Sequence, residues 1–115
     1  MQTGDDILIA GFIIGNGGSD TLLVRAIGPS LAALGVSNPL ADPTLELFDA
    51  NGAILRSDDN WRDTQESLIR STGLAPADDA EAAIIRSLSP GSYTAVVRGK
   101  DGGSGVALVE VYNLQ

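Results

Sequence analysis

Residues 44–57 read TLELFDANGAILRS. Leu45 and Leu47 alternate with Glu46 and Phe48, the period of two that a strand shows when one face is buried and the other wet. DANG (Asp49–Gly52) follows with residues that tolerate a tight turn, and AILRS returns as the partner strand. One such hairpin directs the search for others. DILIAGFIIG (Asp6–Gly15) is apolar, β-branched and bounded by Asp and Gly, as a strand is. NGGSD is a turn, and TLLVRAIG (Thr21–Gly28) is a second strand, expected to form a hairpin with the first. AAIIRSL and SYTAVVRG flank SPG and read as a further hairpin. KDGGSG is the last turn and VALVEVYNL the last strand. PSLAALGV (Pro29–Val36) reads as a short helical turn with Pro at its start and Gly35 at its end. DTQESLIRSTG (Asp63–Gly73) reads as one short helix, with Asp63 or Thr64 as its N-cap and Gly73 as its stop. The expected fold is an all-β antiparallel β-sandwich, jelly-roll or Ig-like. It has about seven to eight strands and one or two short helices.

Composition narrows the function. The chain has 115 residues, enough for one modest core. Residues 1–115 therefore read as a single module, and Met1 running straight into QTGDD reads as the start of a segment excised from a larger exported protein. Seven basic against fifteen acidic residues give a net charge of −8, the wrong sign for nucleic acid or an anionic membrane. There is no cysteine and no histidine, which removes thiol nucleophiles, imidazole acid–base chemistry, Ser-His-Asp triads and the usual zinc sites. No apolar run reaches the roughly eighteen residues of a membrane span, so no membrane insertion is expected.

Strings distributed over nearly the whole chain carry a resemblance. GDDILIAGFIIG, LVRAIGPSLAALGV, LADPTLELFDANGAIL, SDDNW, TGLAP and SPGSYTAVVRGKDGGSGVALVEVYNL together resemble a tandem-repeat module of large secreted bacterial proteins. The second half is also similar to β-sandwich domains of the bacterial pre-peptidase C-terminal type. The resemblance implies an architecture and a non-catalytic, extracellular or cell-surface role as an appendage of an exported protein. It also implies a further extended segment between copies, so that this copy lacks an edge strand.

Candidate sites are few. RSDDNWRD (Arg56–Asp63) gathers hard oxygen ligands, and a loose calcium site would use Asp58, Asp59, Asn60 and Asp63, with ADDAE (Ala77–Glu81) folded beside it. It is not an EF-hand, since Asp63 stands where Gly and Ile69 where Glu are required. The structural alternative has Asp58 and Asn60 capping a turn, Asp63 capping the helix and Trp61 plugging the sandwich edge. Adjacent loop aspartates do not meet the separation of about 5–10 Å that glycosidase carboxylates need. GPS (Gly28–Ser30) lacks the Gly-x-Ser-x-Gly of a nucleophile elbow, and GNGG and GKDGG lack the features of a phosphate loop. Lys100, the single lysine, reads as a solvated turn residue and not an isopeptide donor. Arg25, Arg86 and Arg98 fall within strands, where each is expected to pair with an acid on an outer face. Trp61, Tyr93 and Tyr112 are the aromatic groups able to stack on a sugar, while Phe12 and Phe48 read as core.

The first and last strands are apolar on both faces. Ile7, Ile9 and Ile13 lie opposite Leu8, Phe12 and Ile14, and Val106, Leu108 and Tyr112 lie opposite Ala107, Val109 and Val111. A strand of this kind needs cover on both sides. The expectation is a non-enzymatic extracellular structural or adhesive repeat module that self-associates with neighbouring copies or adjacent domains, through the face carrying Leu8 and Phe12 or through a strand edge. The alternative is a carbohydrate-binding module accessory to a secreted hydrolase.

Overall fold

The computed structural model describes residues 7–15, 20–62, 65–100 and 105–114. Seven strands run in chain order: β1 (Ile7–Ile14), β2 (Asp20–Ile27), β3 (Pro43–Phe48), β4 (Ile54–Asp58), β5 (Ala82–Leu88), β6 (Gly91–Gly99) and β7 (Leu108–Asn113). A 3-10 helix, Pro29–Leu34, follows β2, and a short helix α1, Glu66–Ser71, lies between β4 and β5. All strand pairs are antiparallel, in a four-stranded sheet of order β1-β6-β3-β4 and a three-stranded sheet of order β5-β2-β7. The antiparallel sandwich read from the sequence is the fold.

The β3–β4 hairpin forms as its sequence dictates. The Asp49 carboxylate accepts the amides of Asn51 and Ala53, at 2.9 and 3.0 Å, and Gly52 takes φ 82°. Leu45 and Leu47 are fully buried between the sheets. The 3-10 helix has Pro29 in its first turn, and Gly35 ends it at φ 88°.

Two expected hairpins do not form. β1 pairs with β6, while β2 pairs with β5 and β7 in the other sheet. β5 and β6, joined through Ser89 and Pro90, also part to opposite sheets. The physical reason lies in burial. β2 and β5 are buried on both faces along most of their length, so β2 takes the middle of the sheet whose outer face is covered. β1 and β6 go to the other sheet, on whose outer face Ile9 and Ile13 are exposed. Between β5 and β6 the chain crosses from one layer to the other through Ser89 and Pro90, and a short loop has the same composition whether it crosses or turns back.

One core lies between the sheets and includes Leu22, Val24, Leu45, Leu47, Ile84 and Val97. A second lies on the outer face of the three-stranded sheet, where Ile69 of α1 and Trp61 cover Leu23, Ala83 and Ile85. Helix α1 begins later than expected. Gln65 stands at its N-cap without a side-chain cap, and the expected caps Asp63 and Thr64 lie outside the described residues. The Gln65 side chain is committed elsewhere, as described below. Gly73, at φ 75°, follows the C-terminal end as expected.

β1 turns the opposite way from the docking surface expected of it. Leu8, Phe12 and Ile14 face inward and pack on the core, and Ile9 and Ile13 face water at 64 % and 77 % exposure. Phe48 likewise is not core: it alternates with Leu47 and is half-buried on the outer face of the four-stranded sheet.

Candidate functional site

Two of the acids singled out in RSDDNWRD, Asp58 and Asp59, hold other parts of the fold. Asp58, buried at the end of β4, points its Oδ2 at the Ala83 amide of β5, 3.0 Å away. Asp59 accepts Lys100 Nζ at 2.7 Å. The two carboxylates thus hold different partners, one on a strand edge and one beyond β6. Asn60 is half-buried, and Asp63 lies outside the described residues. Among the described residues no three Asp or Glu side chains are grouped to hold a metal. ADDAE does fold beside this loop: Arg62 Nε reaches Asp79 at 2.7 Å, and the Trp61 amide donates to the Glu81 carbonyl at 2.9 Å. Trp61 is 3 % exposed, with the guanidinium groups of Arg62 and Arg70 each 5.0 Å from its ring centre. It plugs the outer face of the three-stranded sheet and offers no flat surface to a sugar.

The β5 edge is closed by side chains. Besides Asp58 on Ala83, the Gln65 carboxamide accepts the Ile85 amide at 2.9 Å and donates to the Ile85 carbonyl at 3.0 Å. It occupies the place that a peptide of a neighbouring strand would take. Arg86 crosses from β5 to the Leu55 carbonyl of β4 at 3.3 Å, so it holds a backbone oxygen and not the acid expected of it.

The most deeply buried polar group is one the sequence did not single out. Glu81 is fully buried. Its Oε2 accepts the amides of Gly28 and Ser30, at 2.9 and 2.8 Å, and its Oε1 accepts the Ser30 hydroxyl and the Asp78 amide, at 2.5 and 3.2 Å. GPS is therefore the cradle of a structural carboxylate, which satisfies the first amides of the 3-10 helix. Gly28 is required by close approach, since a Cβ there would stand 2.2 Å from the Leu40 carbonyl oxygen. The clue in the sequence was a Gly-Pro-Ser start to a helical turn, whose free amides need an acceptor.

A recess of about 220 Å³ lies beside Arg25, Ser30, Leu34, Ala77 and Glu110. That is below the roughly 300–1,000 Å³ of small-molecule sites. Its two charges are joined to each other: Arg25 Nε and Nη2 both donate to Glu110 Oε1. The same guanidinium reaches the Leu74 carbonyl at 3.0 Å and the Tyr112 hydroxyl at 3.1 Å. It fastens β2 and β7 to the segment after α1. Tyr112 is held under Arg25, and Tyr93 stacks on Phe12 and donates to the Ser89 carbonyl at 2.6 Å. Trp61, Tyr93 and Tyr112 thus belong to three separate packing contacts. Arg98 does pair with an acid, Glu46, at 3.4 Å. No helix among the described residues is long and apolar enough to cross a membrane.

The candidate with unmet packing is instead the outer side of β1. β1 is the outermost strand of its sheet, and Ile9 and Ile13 stand on its uncovered face. No protein-family model, curated protein or solved structure matches this chain.

Proposed function

We propose that this sandwich is a non-catalytic extracellular module of an exported protein and acts by joining to neighbouring modules. The observation that carries the reading is the exposure of Ile9 and Ile13 on an edge strand. A folded monomer gains nothing from presenting two large aliphatic side chains on an open strand edge, whereas a contact surface does. The polar groups support the same reading. Glu81, Asp58, Gln65 and Arg25 all hold backbone or each other's elements, and none converges with a second reactive group on a cleft. Size-exclusion chromatography with light scattering tests the proposal. Self-association is expected to rise with concentration, and a strictly monomeric mass at high micromolar concentration overturns it.

A further inference from the structure

Building on that reading of self-association, we propose its geometry: two copies pair β1 against β1, antiparallel, about a twofold axis through Gly11, so that two four-stranded sheets become one of eight strands.

The free edge of β1 has the properties of a pairing surface. Its inner edge runs in unbroken register on β6, from Ile7 opposite Arg98 to Ile14 opposite Gly91. It therefore has no bulge to turn its outer edge away, and it contains no proline. Among the described residues no side chain clamps its backbone as Gln65 clamps that of β5. Among the described residues the usual protections of an edge are thus missing along β1. An unpaired strand edge is matched by another extended strand, whose amides and carbonyls meet its own.

Charge admits another copy as the second strand at β1 and disfavours it elsewhere. In a chain of net charge −8, two copies repel at most of their surface. Each of β2 to β7 carries at least one charged side chain, and β1 carries none. β1 is the strand on which two copies meet without bringing like charges opposite each other.

The sequence of β1 then sets the register. ILIAGFII is nearly symmetric about Gly11. A twofold axis there places Ile9 opposite Ile13 of the other copy on the outer face, and Leu8 opposite Ile14 and Ala10 opposite Phe12 on the inner face. A slip of one residue pairs outward with inward side chains and is excluded by the pleat. A shift of the axis by one residue along the strand keeps the faces but parts the exposed pair: an axis at Ala10 sets Ile9 opposite Gly11, and an axis at Phe12 sets Ile13 opposite Gly11. Gly11 on the axis leaves room for two copies of Ile9 and Ile13 to close over it.

Cysteine scanning decides the question, because the natural chain has no thiol. A Cβ at Gly11 meets nothing nearer than the Tyr93 carbonyl oxygen at 3.9 Å, and Gly11 does not need a glycine-only conformation. Opposite residues of an antiparallel pair have Cα atoms about 4.5–5.5 Å apart, within the roughly 4.4–6.8 Å of a disulfide. Oxidised Gly11→Cys is expected to give disulfide-linked dimers. Ile9→Cys alone is expected to stay unlinked, since its twin lies four residues away, about 13 Å. Ile9→Cys mixed with Ile13→Cys is expected to link. Ile13→Lys is expected to weaken the dimer at least tenfold in dissociation constant, with the melting point of the dilute, monomeric protein unchanged. If the wild type is dimeric by light scattering but Gly11→Cys and the mixture both fail to link, the twofold edge is wrong and self-association stands. Linking of Ile9→Cys to itself overturns the register. A monomeric wild type overturns both proposals.

Discussion

On one flank of the sandwich, where β4 lies over β5, side chains reach across to the backbone: Asp58 to Ala83, Gln65 to Ile85 and Arg86 to Leu55. On the opposite flank, where β1 approaches β7, Ile9 and Ile13 stand in water, and Val111 is 39 % exposed although it pairs opposite the core residue Val24. The two flanks differ in the charge of their strands and in what the neighbouring segment supplies. The chain between β4 and β5 carries Trp61, Gln65 and α1, which together cover an edge and an outer face. Among the described residues the four-stranded sheet has no such segment over Ile9 and Ile13. An edge strand is closed by the loop beside it in space, and a charge-free strand without such a loop is left available.

The largest expected effect falls on the closed flank. Glu81→Ala strands the amides of Gly28, Ser30 and Asp78 in the interior. An unmatched buried donor costs about 1–3 kcal/mol, so the loss is expected to reach about 3 kcal/mol or more, a large part of the roughly 5–15 kcal/mol that stabilises a domain. Urea unfolding followed by tryptophan fluorescence measures it, with Trp61 as the reporter. A loss under about 1 kcal/mol would show that water replaces the carboxylate. Gly28→Ala is expected to do comparable harm, because its Cβ meets backbone and not a movable side chain.

Asp58→Ala comes next, at about 1.5–3 kcal/mol for a hydrogen bond to a charged group. Asp58→Asn keeps an acceptor for Ala83 and is expected to cost less. Hydrogen exchange sharpens the comparison: the Ala83 amide should exchange faster in Asp58→Ala, and the Ile85 amide in Gln65→Ala. If neither rate moves, the closed flank is not held by these side chains. On the open flank the expectation is reversed. Ile9→Thr and Ile13→Thr should change the stability of the dilute monomer by no more than about 0.5 kcal/mol, while lowering the mass seen by light scattering at high concentration.

The contrast between flanks also marks what the sequence could tell. Strand positions were legible because apolar residues alternate or run on between Gly-rich turns, and the Asp49–Gly52 turn because its chemistry is local. The sheet partners were not, since the short segments after β1 and β5 have turn composition whether they return beside their own strand or cross to the other layer. Of the polar residues around Trp61, Asp58 was expected to cap its own turn, and it holds the amide of a distant strand. Asp58 caps an edge 25 residues away and Gln65 one 20 residues away. Glu81 was hidden among the acids of ADDAE, which look solvated when only composition is visible. Ile13 and Phe12 differ little as letters, and only the packing of the sheets says that Phe12 is covered and Ile13 is not.

The smallest expected effect concerns calcium at the Asp58–Asp63 loop. A ligand at a hundred times its dissociation constant adds about 2.7 kcal/mol, which for a domain of this size raises the melting point by roughly 10 °C. Calcium is expected to leave the melting point where it is. One carboxylate oxygen of Asp58 already takes the Ala83 amide, and an ion would have to displace the Lys100 ammonium from Asp59 to gather both side chains. Magnesium serves as a control for the general screening of a chain this acidic. A rise with calcium alone that disappears in Asp59→Asn would break the comparison at its base. The flank closed by side chains would then be one closed by a metal, and its stability would follow the calcium concentration around it.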